Sequence, residues 1–408
     1  MAARFVNIDY DTPLLLPPDL RDWVPADHMV HFIMDAVATR YLCADNHPDH
    51  DSICKFRREN KELLSSAFHQ VLELAATARV LKVGDLTVAI DGTKLLANAS
   101  KHSAMSHERI EEQMKLASDQ IAELLAKAED ADSTPLQDGL TIPAEIQRRE
   151  DRIAKLKEAK TVLEARAKAR FEEESAAHAA KLAARRDKEQ STGHKPRGKA
   201  PEPPVEGPAP KDQYNFTDPE SRIMKDKGSF NQCYNAQAAV DVATMLIVGQ
   251  HLTDAPNDKQ QLRPGLESVS PAAGKVTRVL VDSGYFGDAS VTGVEEGGEG
   301  PEVYAAMKRQ SHGRSVGQLE KHPDPPAPPE GAPLGEIMAH RLSTAGGKAL
   351  YGLRKQTVEP VFGIIKEALG FRRFMLRGKE KAGLEWTLVS TAYNLKRLFG
   401  LGGRLRSA

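Results

Sequence analysis

The sequence predicts an α/β protein: a mixed sheet with flanking helices, interrupted by a helical hairpin and preceded by an N-terminal helical domain. Three observations carry this. Leu86–Ile90 and Val276–Val281 are short, rich in β-branched residues and each followed by an aspartate, as expected of buried strands. Between them, His107 to about Lys188 repeats apolar residues at alternating spacings of four and three, a heptad seam. Two proline-rich stretches, each with six prolines, lie at 190–213 and 323–333 and break the chain where no element can continue.

The 408 residues allow about two or three domains. Composition is 40% hydrophobic and 28% charged, which suits a core-forming protein with solvated segments. No apolar run approaches the roughly 18 residues of a membrane span, and no signal peptide precedes Leu14-Leu15-Leu16. The three cysteines form neither a CxxC nor an even set, which argues against a disulfide framework and fits a reducing compartment. A cytoplasmic protein without a membrane partner is expected.

Residues 1–80 read as helical. Met29, Phe32, Ile33, Ala36 and Val37 form a stripe within Pro25–Leu42, Ser52 suits a second N-cap, and Leu63, Phe68, Val71, Leu72 and Leu74 suggest a third helix. Residues 81–106 hold the first strand, expected to end in a turn at Asp91-Gly92. At 107–189, Ile110, Met114, Ala117, Ile121, Leu124 and Ala128 face Ile146, Ile153, Leu156 and Leu163 across a polar break, an antiparallel hairpin; an intermolecular coiled coil is the alternative. Residues 190–213 read as an extended linker. Residues 214–408 resume the sheet with strands at Ala236–Val242, Met245–Leu252, Val276–Val281 and Glu302–Met307. Helices follow at Leu350–Leu369 and Leu388–Leu401.

Asp91 and Asp282 each follow an apolar strand, where a carboxylate can point into a crevice beside the sheet. Taken singly, such an aspartate is a common turn residue. Hard cations such as Mg²⁺ take oxygen ligands, often one or two carboxylates plus substrate phosphate. A third carboxylate is Glu359, in Arg354-Lys-Gln-Thr-Val-Glu-Pro-Val-Phe-Gly-Ile-Ile-Lys366. Val358, Phe362, Ile365 and Leu369 would be the buried stripe of that helix, with Lys355, Glu359 and Lys366 near one azimuth. Pro360 disfavours a helical Glu359, so the helix is expected to start or kink there. From His340 to Ala408 fourteen Lys/Arg face four Glu, a polarity that suits an anionic partner. Phe371, Arg372, Arg373, Phe374 and Arg377 interleave rings with cations, either to follow a phosphate backbone or to pack the rings beneath a basic surface. Trp23 and Trp386 read as core residues.

Asp91-Gly-Thr, Asp282-Ser-Gly-Tyr-Phe and Val358-Glu-Pro-Val-Phe-Gly-Ile-Ile-Lys366 together resemble bacterial insertion-sequence transposases of the DDE class, in the branch with a helical insertion after the first Asp. The likeness extends to Pro48–Arg58, Asp218–Lys225, Tyr234–Asp241 and Gly370–Gly378. The resemblance implies an RNase H-like catalytic domain split by the hairpin. It implies that Asp91, Asp282 and Glu359 hold two Mg²⁺ ions, with Mn²⁺ a substitute, and that Lys366 contacts DNA phosphate. Tyr351 with Arg354 or Lys355 would match the preceding tyrosine and basic residue. Arg354 has the right distance from Tyr351 but lies one residue too far from Glu359, while Lys355 has the reverse fault. Arg372, Arg373 and Arg377 are further DNA-contact candidates.

The implied function is cleavage and strand transfer at element ends. Partners would be double-stranded DNA, as terminal inverted repeats and target, and a second copy in a homodimer on DNA. When bound, the protein would be associated with the nucleoid. The region expected to read the repeats is shorter than in the resembled family, because Val24–Ala38 and Tyr41–Arg58 are joined almost directly. The alternatives are a decayed, non-catalytic DNA-binding relative and a metal-dependent DNA nuclease.

Overall fold

The computed structural model describes residue 55 and residues 59–406, apart from 82–83, 130–135, 138, 196–197, 227, 296–299, 308–322 and 330. The helices expected over Pro25–Leu42 and after Ser52, and Trp23, lie outside these residues. The chain divides into two compact units, Met1–Leu95 with Tyr234–Ala408, and Leu96–Cys233.

The first unit is a mixed α/β structure. Its strands are β1 (Asp85–Leu96), β5 (Ser229–Asp241), β6 (Ile247–Thr253), β7 (Lys275–Val281) and β8 (Glu302–Ala305), in the order β6-β5-β1-β7-β8. β1–β7 and β7–β8 pair parallel, while β5–β6 pair antiparallel. Central strands read as unbroken apolar runs because both faces are covered: Val88, Ala89, Ile90 and Val279 to Val281 are fully buried. This mixed order with flanking helices is consistent with the RNase H-like arrangement. One expectation is corrected. β1 does not end at Asp91-Gly92 but runs on to Leu96, because β5 lies alongside its second half and continues the ladder.

Helix α1 (Lys61–Thr77) buries Phe68, Val71, Leu72 and Ala75; Leu63 and Leu74, expected inside, are exposed. It packs against the C-terminal helix α8 (Lys379–Arg406), with an ion pair between Lys61 and Glu380, and His69 Nδ1 lies 2.9 Å from Ser270 Oγ. α8 buries Trp386 and Tyr393 against the sheet, as the core reading of Trp386 expects. Asn394 of α8 is buried at the edge strand: its Oδ1 accepts from Ile247 N–H at 2.8 Å and its Nδ2 donates to Ile247 O at 2.7 Å. An amide side chain thus supplies hydrogen bonds that a further strand would otherwise make.

Three shorter helices follow β6, β7 and β8: α4 (Leu262–Glu267), α5 (Asp288–Glu295) and α6 (Leu334–Ser343). Then α7 (Ala345–Gly363) begins at Thr344, whose Oγ1 accepts from Gly347 N–H at 3.0 Å. The helix neither starts nor breaks at Pro360. It runs through Pro360 to Gly363 and continues as a π-turn over Ile364–Ala368. Burial outweighs the proline here, since Val358, Val361, Phe362 and Ile365 on both sides of it are buried.

The second unit contains β2 (Ala104–Ser106), α2 (His107–Glu129), α3 (Ile142–Thr192), β3 (Gln213–Asn215) and β4 (Arg222–Asp226), with β4 paired to the start of β5. Arg149 reaches Gln120, Arg152 reaches Gln113 and Lys160 reaches Glu111, so α2 and the 51-residue α3 run antiparallel. Their seam buries Ile110, Leu156, Ala159, Leu163 and Tyr214 and fades outward, leaving Ala128 exposed. Beyond that seam the proline-rich stretch does not run free. It returns along α3, with Arg185 donating to Gly198 O, His178 Nε2 3.2 Å from Pro201 O, and Arg170 paired to Asp212 at 2.9 Å.

Candidate active site

The parallel register between β1 and β7 brings the two aspartates level. The ladder ends with Val88 opposite Val279 and Ala89 opposite Leu280. Two further residues along each strand lie Asp91 and Asp282, the latter immediately after β7. Thus Asp91, although inside its strand, lies where its neighbour strand has stopped.

Between the two stands a cation from the chain itself. Arg354 of α7, only 8% exposed, places Nη2 2.7 Å from Asp91 Oδ2 and 3.8 Å from Asp282 Oδ2. The Asp91 carboxyl is pushed up to about 6, chiefly by burial; the Arg354 guanidinium works against this rise and the Asp282 charge adds to it. Gly92 N–H donates to Asp91 Oδ1 at 2.9 Å, and Gly284 N–H donates to Asp282 Oδ1 at 2.7 Å. Tyr351, one turn before Arg354, is half-buried; burial raises its phenol, and the nearby Asp282 and Asp91 charges add to that. The pair and Arg354 therefore meet at one place.

The remaining predicted residues are placed differently. Lys355 and Glu359 are exposed, one turn apart on α7. No ion pair or hydrogen bond joins Glu359 to the aspartates, and the described residues contain no cluster of three His, Cys, Asp or Glu set to hold a metal. Lys366 Nζ donates to Lys94 O at 3.0 Å, which places it beside β1 three residues beyond Asp91. Arg372, Arg373 and Arg377 are exposed; Arg372 pairs with Glu367 and donates Nε–H to Lys366 O at 3.0 Å. Phe374 is buried and meets Phe371 and Tyr234 edge-on at 5.4 and 5.8 Å, so these rings pack beneath the basic surface.

A further acidic residue escaped the sequence reading. Asp258 Oδ1 accepts from Asn235 Nδ2 and Gln237 Nε2, both at 2.7 Å, with Lys94 Nζ 3.8 Å away. It lies within the loop that follows β6, not directly at a strand's end, and no periodicity surrounds it in Asp254-Ala-Pro-Asn-Asp258. Only the turn-forming composition marked the segment.

The donor set fits a divalent cation: two carboxylates converge on one positive group, and guanidinium nitrogen occupies ground between oxygens that a hard ion favours. Residues 331–399, which span α6, α7, the π-turn and most of α8, match a protein-family model described as a transposase DDE domain. No curated protein and no solved structure matches the chain. The matched stretch includes Tyr351, Arg354, Lys355, Glu359, Lys366, Arg372, Arg373 and Arg377. Through this C-terminal segment the chain is similar to transposase DDE domains.

Proposed function

We propose that the protein is a DNA transposase that cleaves and joins DNA at Asp91 and Asp282, with Glu359 as the third carboxylate. The observation that carries this reading is the shared cation between Asp91 and Asp282. Asp91 and Asp282 would hold divalent ions, which would supply Lewis-acid activation of the attacking oxygen and stabilisation of the leaving oxygen. Arg354 balances the pair's charge in the free protein. Lys366, beside β1, holds substrate phosphate, while Arg372, Arg373 and Arg377 follow the backbone beyond it. Glu359 joins the aspartates when DNA and metal engage; Pro360 and the adjoining π-turn give α7 the local irregularity for that adjustment. Cleavage at the element end leaves a 3′-hydroxyl, which then attacks target DNA. Two ends require two active sites, hence a homodimer on DNA.

The test uses a labelled duplex carrying the flanking inverted repeat. Mg²⁺-dependent nicking at the repeat end is expected, lost in Asp282→Asn and in Glu359→Gln. Because Glu359 is exposed and has no hydrogen bond or ion pair among the described residues, its variant should keep the wild-type melting temperature. Strand-transfer products separate a transposase from a nuclease. Salt-sensitive DNA binding without any cleavage would instead identify a non-catalytic relative.

A further inference from the structure

Gly92, next to Asp91, is hemmed in by a buried polar network. A Cβ at this position would lie 2.6 Å from Asn235 Oδ1 and 2.7 Å from Asp258 Oδ1, and closer still to Gln237 Nε2. No side chain fits that space, so the network presses directly on the backbone that carries Asp91. Asn235 and Gln237 are fully buried on β5, and both donate an amide N–H to the same oxygen of Asp258. The other end of Gln237 turns the opposite way: Tyr285 O–H donates to Gln237 Oε1. Tyr285 is itself fully buried three residues beyond Asp282, and its N–H donates to Asp282 O at 3.3 Å. Trp386 Nε1–H donates to Gln237 O at 3.0 Å, which fixes the same residue from the helical layer.

We infer that Asp258 is a positioning residue for the acidic pair, acting through Gln237 and Tyr285 to hold Asp91 and Asp282 at a fixed separation. It is not itself a metal ligand in this assignment. Its Oδ1 is already engaged by two amides and faces Lys94, so that oxygen has no capacity left for an ion. The bond from Gln237 Nε2 to Asp258 and the bond from Tyr285 O–H to Gln237 Oε1 together orient the Gln237 amide, nitrogen toward Asp258 and oxygen toward Tyr285. Without the carboxylate, nothing selects that orientation, and the hydroxyl that anchors the Asp282 turn loses its acceptor. A supporting residue of this kind typically changes metal affinity by about 10–100-fold. The inference rests on the proposed metal-binding role of the pair.

Mn²⁺ titration of the purified full chain, followed by electron paramagnetic resonance, tests it together with the indole N–H resonance of Trp386. Asp258→Asn keeps an oxygen acceptor but removes the charge; Tyr285→Phe removes only the hydroxyl. Both are expected to weaken Mn²⁺ binding about tenfold or more and to shift the Trp386 resonance. A loss in Tyr285→Phe, which changes no charge, assigns the effect to position. Weakening confined to Asp258→Asn would make the effect one of charge alone and overturn the inference, as would affinities within twofold of wild type in both. If the wild-type chain bound no Mn²⁺, the metal reading of the pair would fail, and an unmoved Trp386 resonance in both variants would then overturn the positioning role separately.

Discussion

Arg354 carries the largest electrostatic burden of any side chain on α7, because Asp91 and Asp282 face one another across it. Removing it leaves two carboxylates close together, one of them largely buried. Arg354→Met should therefore destabilise the protein in EDTA by roughly 2–4 kcal/mol, toward the lower side of the buried-pair range because Asp282 is partly solvated. Added Mg²⁺ should return part of the lost melting temperature. Lys355→Met, at an exposed position, should change stability by less than about 0.5 kcal/mol. Thermal unfolding with and without metal checks both. Spacing alone left these two residues equivalent. Burial separates them, since position 354 lies on the stripe with Thr357, Val358 and Val361, whereas 355 lies outside it. Asp91 and Asp282 were legible because each follows an apolar run; Asp258 was not, because its significance depends on side chains brought in from β5. A loop carboxylate has no local signature of what folds against it.

At the level of elements, the strands were readable wherever both faces are buried: β6 lies close to its expected bounds, whereas β5 begins at Ser229, well before the expected Ala236, because its first residues pair with β4. The turn expected at Asp91-Gly92 failed for a physical reason. Gly92 is demanded by the crowding of Asn235, Gln237 and Asp258, not by a change of chain direction, and sequence cannot distinguish those two uses of glycine. Pro360 misled in the same manner, because local preference cannot register the tertiary burial on either side of it. The pairing of α2 with α3 was legible from the heptad seam, although its outer end is thin. That seam rests on few large side chains, so Leu163→Ala should cost about 2–4 kcal/mol in the unit that contains it. Circular dichroism melting should show an earlier helical transition, while the environment of Trp386, in the other unit, stays unchanged to higher temperature.

For the whole molecule, a formal charge of -1 conceals a strongly basic C-terminal segment. Association with DNA should accordingly weaken steeply with ionic strength. Each phosphate contact contributes about 0.9 to the slope of log affinity against log salt. Replacing Arg372, Arg373 and Arg377 together by alanine should lower that slope by roughly 2–3, nearer 2 because Glu367 already engages Arg372. Fluorescence anisotropy over a salt series measures it. No described helix is long and apolar enough to cross a membrane.

The division of the chain also bears on how the protein reaches its native state. β1 must find β5 although all of Leu96–Cys233 intervenes, and closing so long a loop is slow and entropically costly. Within that intervening unit, however, Ala97 N–H already bonds to Gln232 O at 2.9 Å, and β4 pairs with the start of β5. Its two ends therefore emerge side by side. During synthesis the helical pair leaves the ribosome before β5 does, and its mostly local contacts let it form early. Once it has formed, the two strands that carry Asp91 and Gln237 are presented to each other as neighbours, so the intervening unit acts as a clasp that turns a distant strand pairing into a local one.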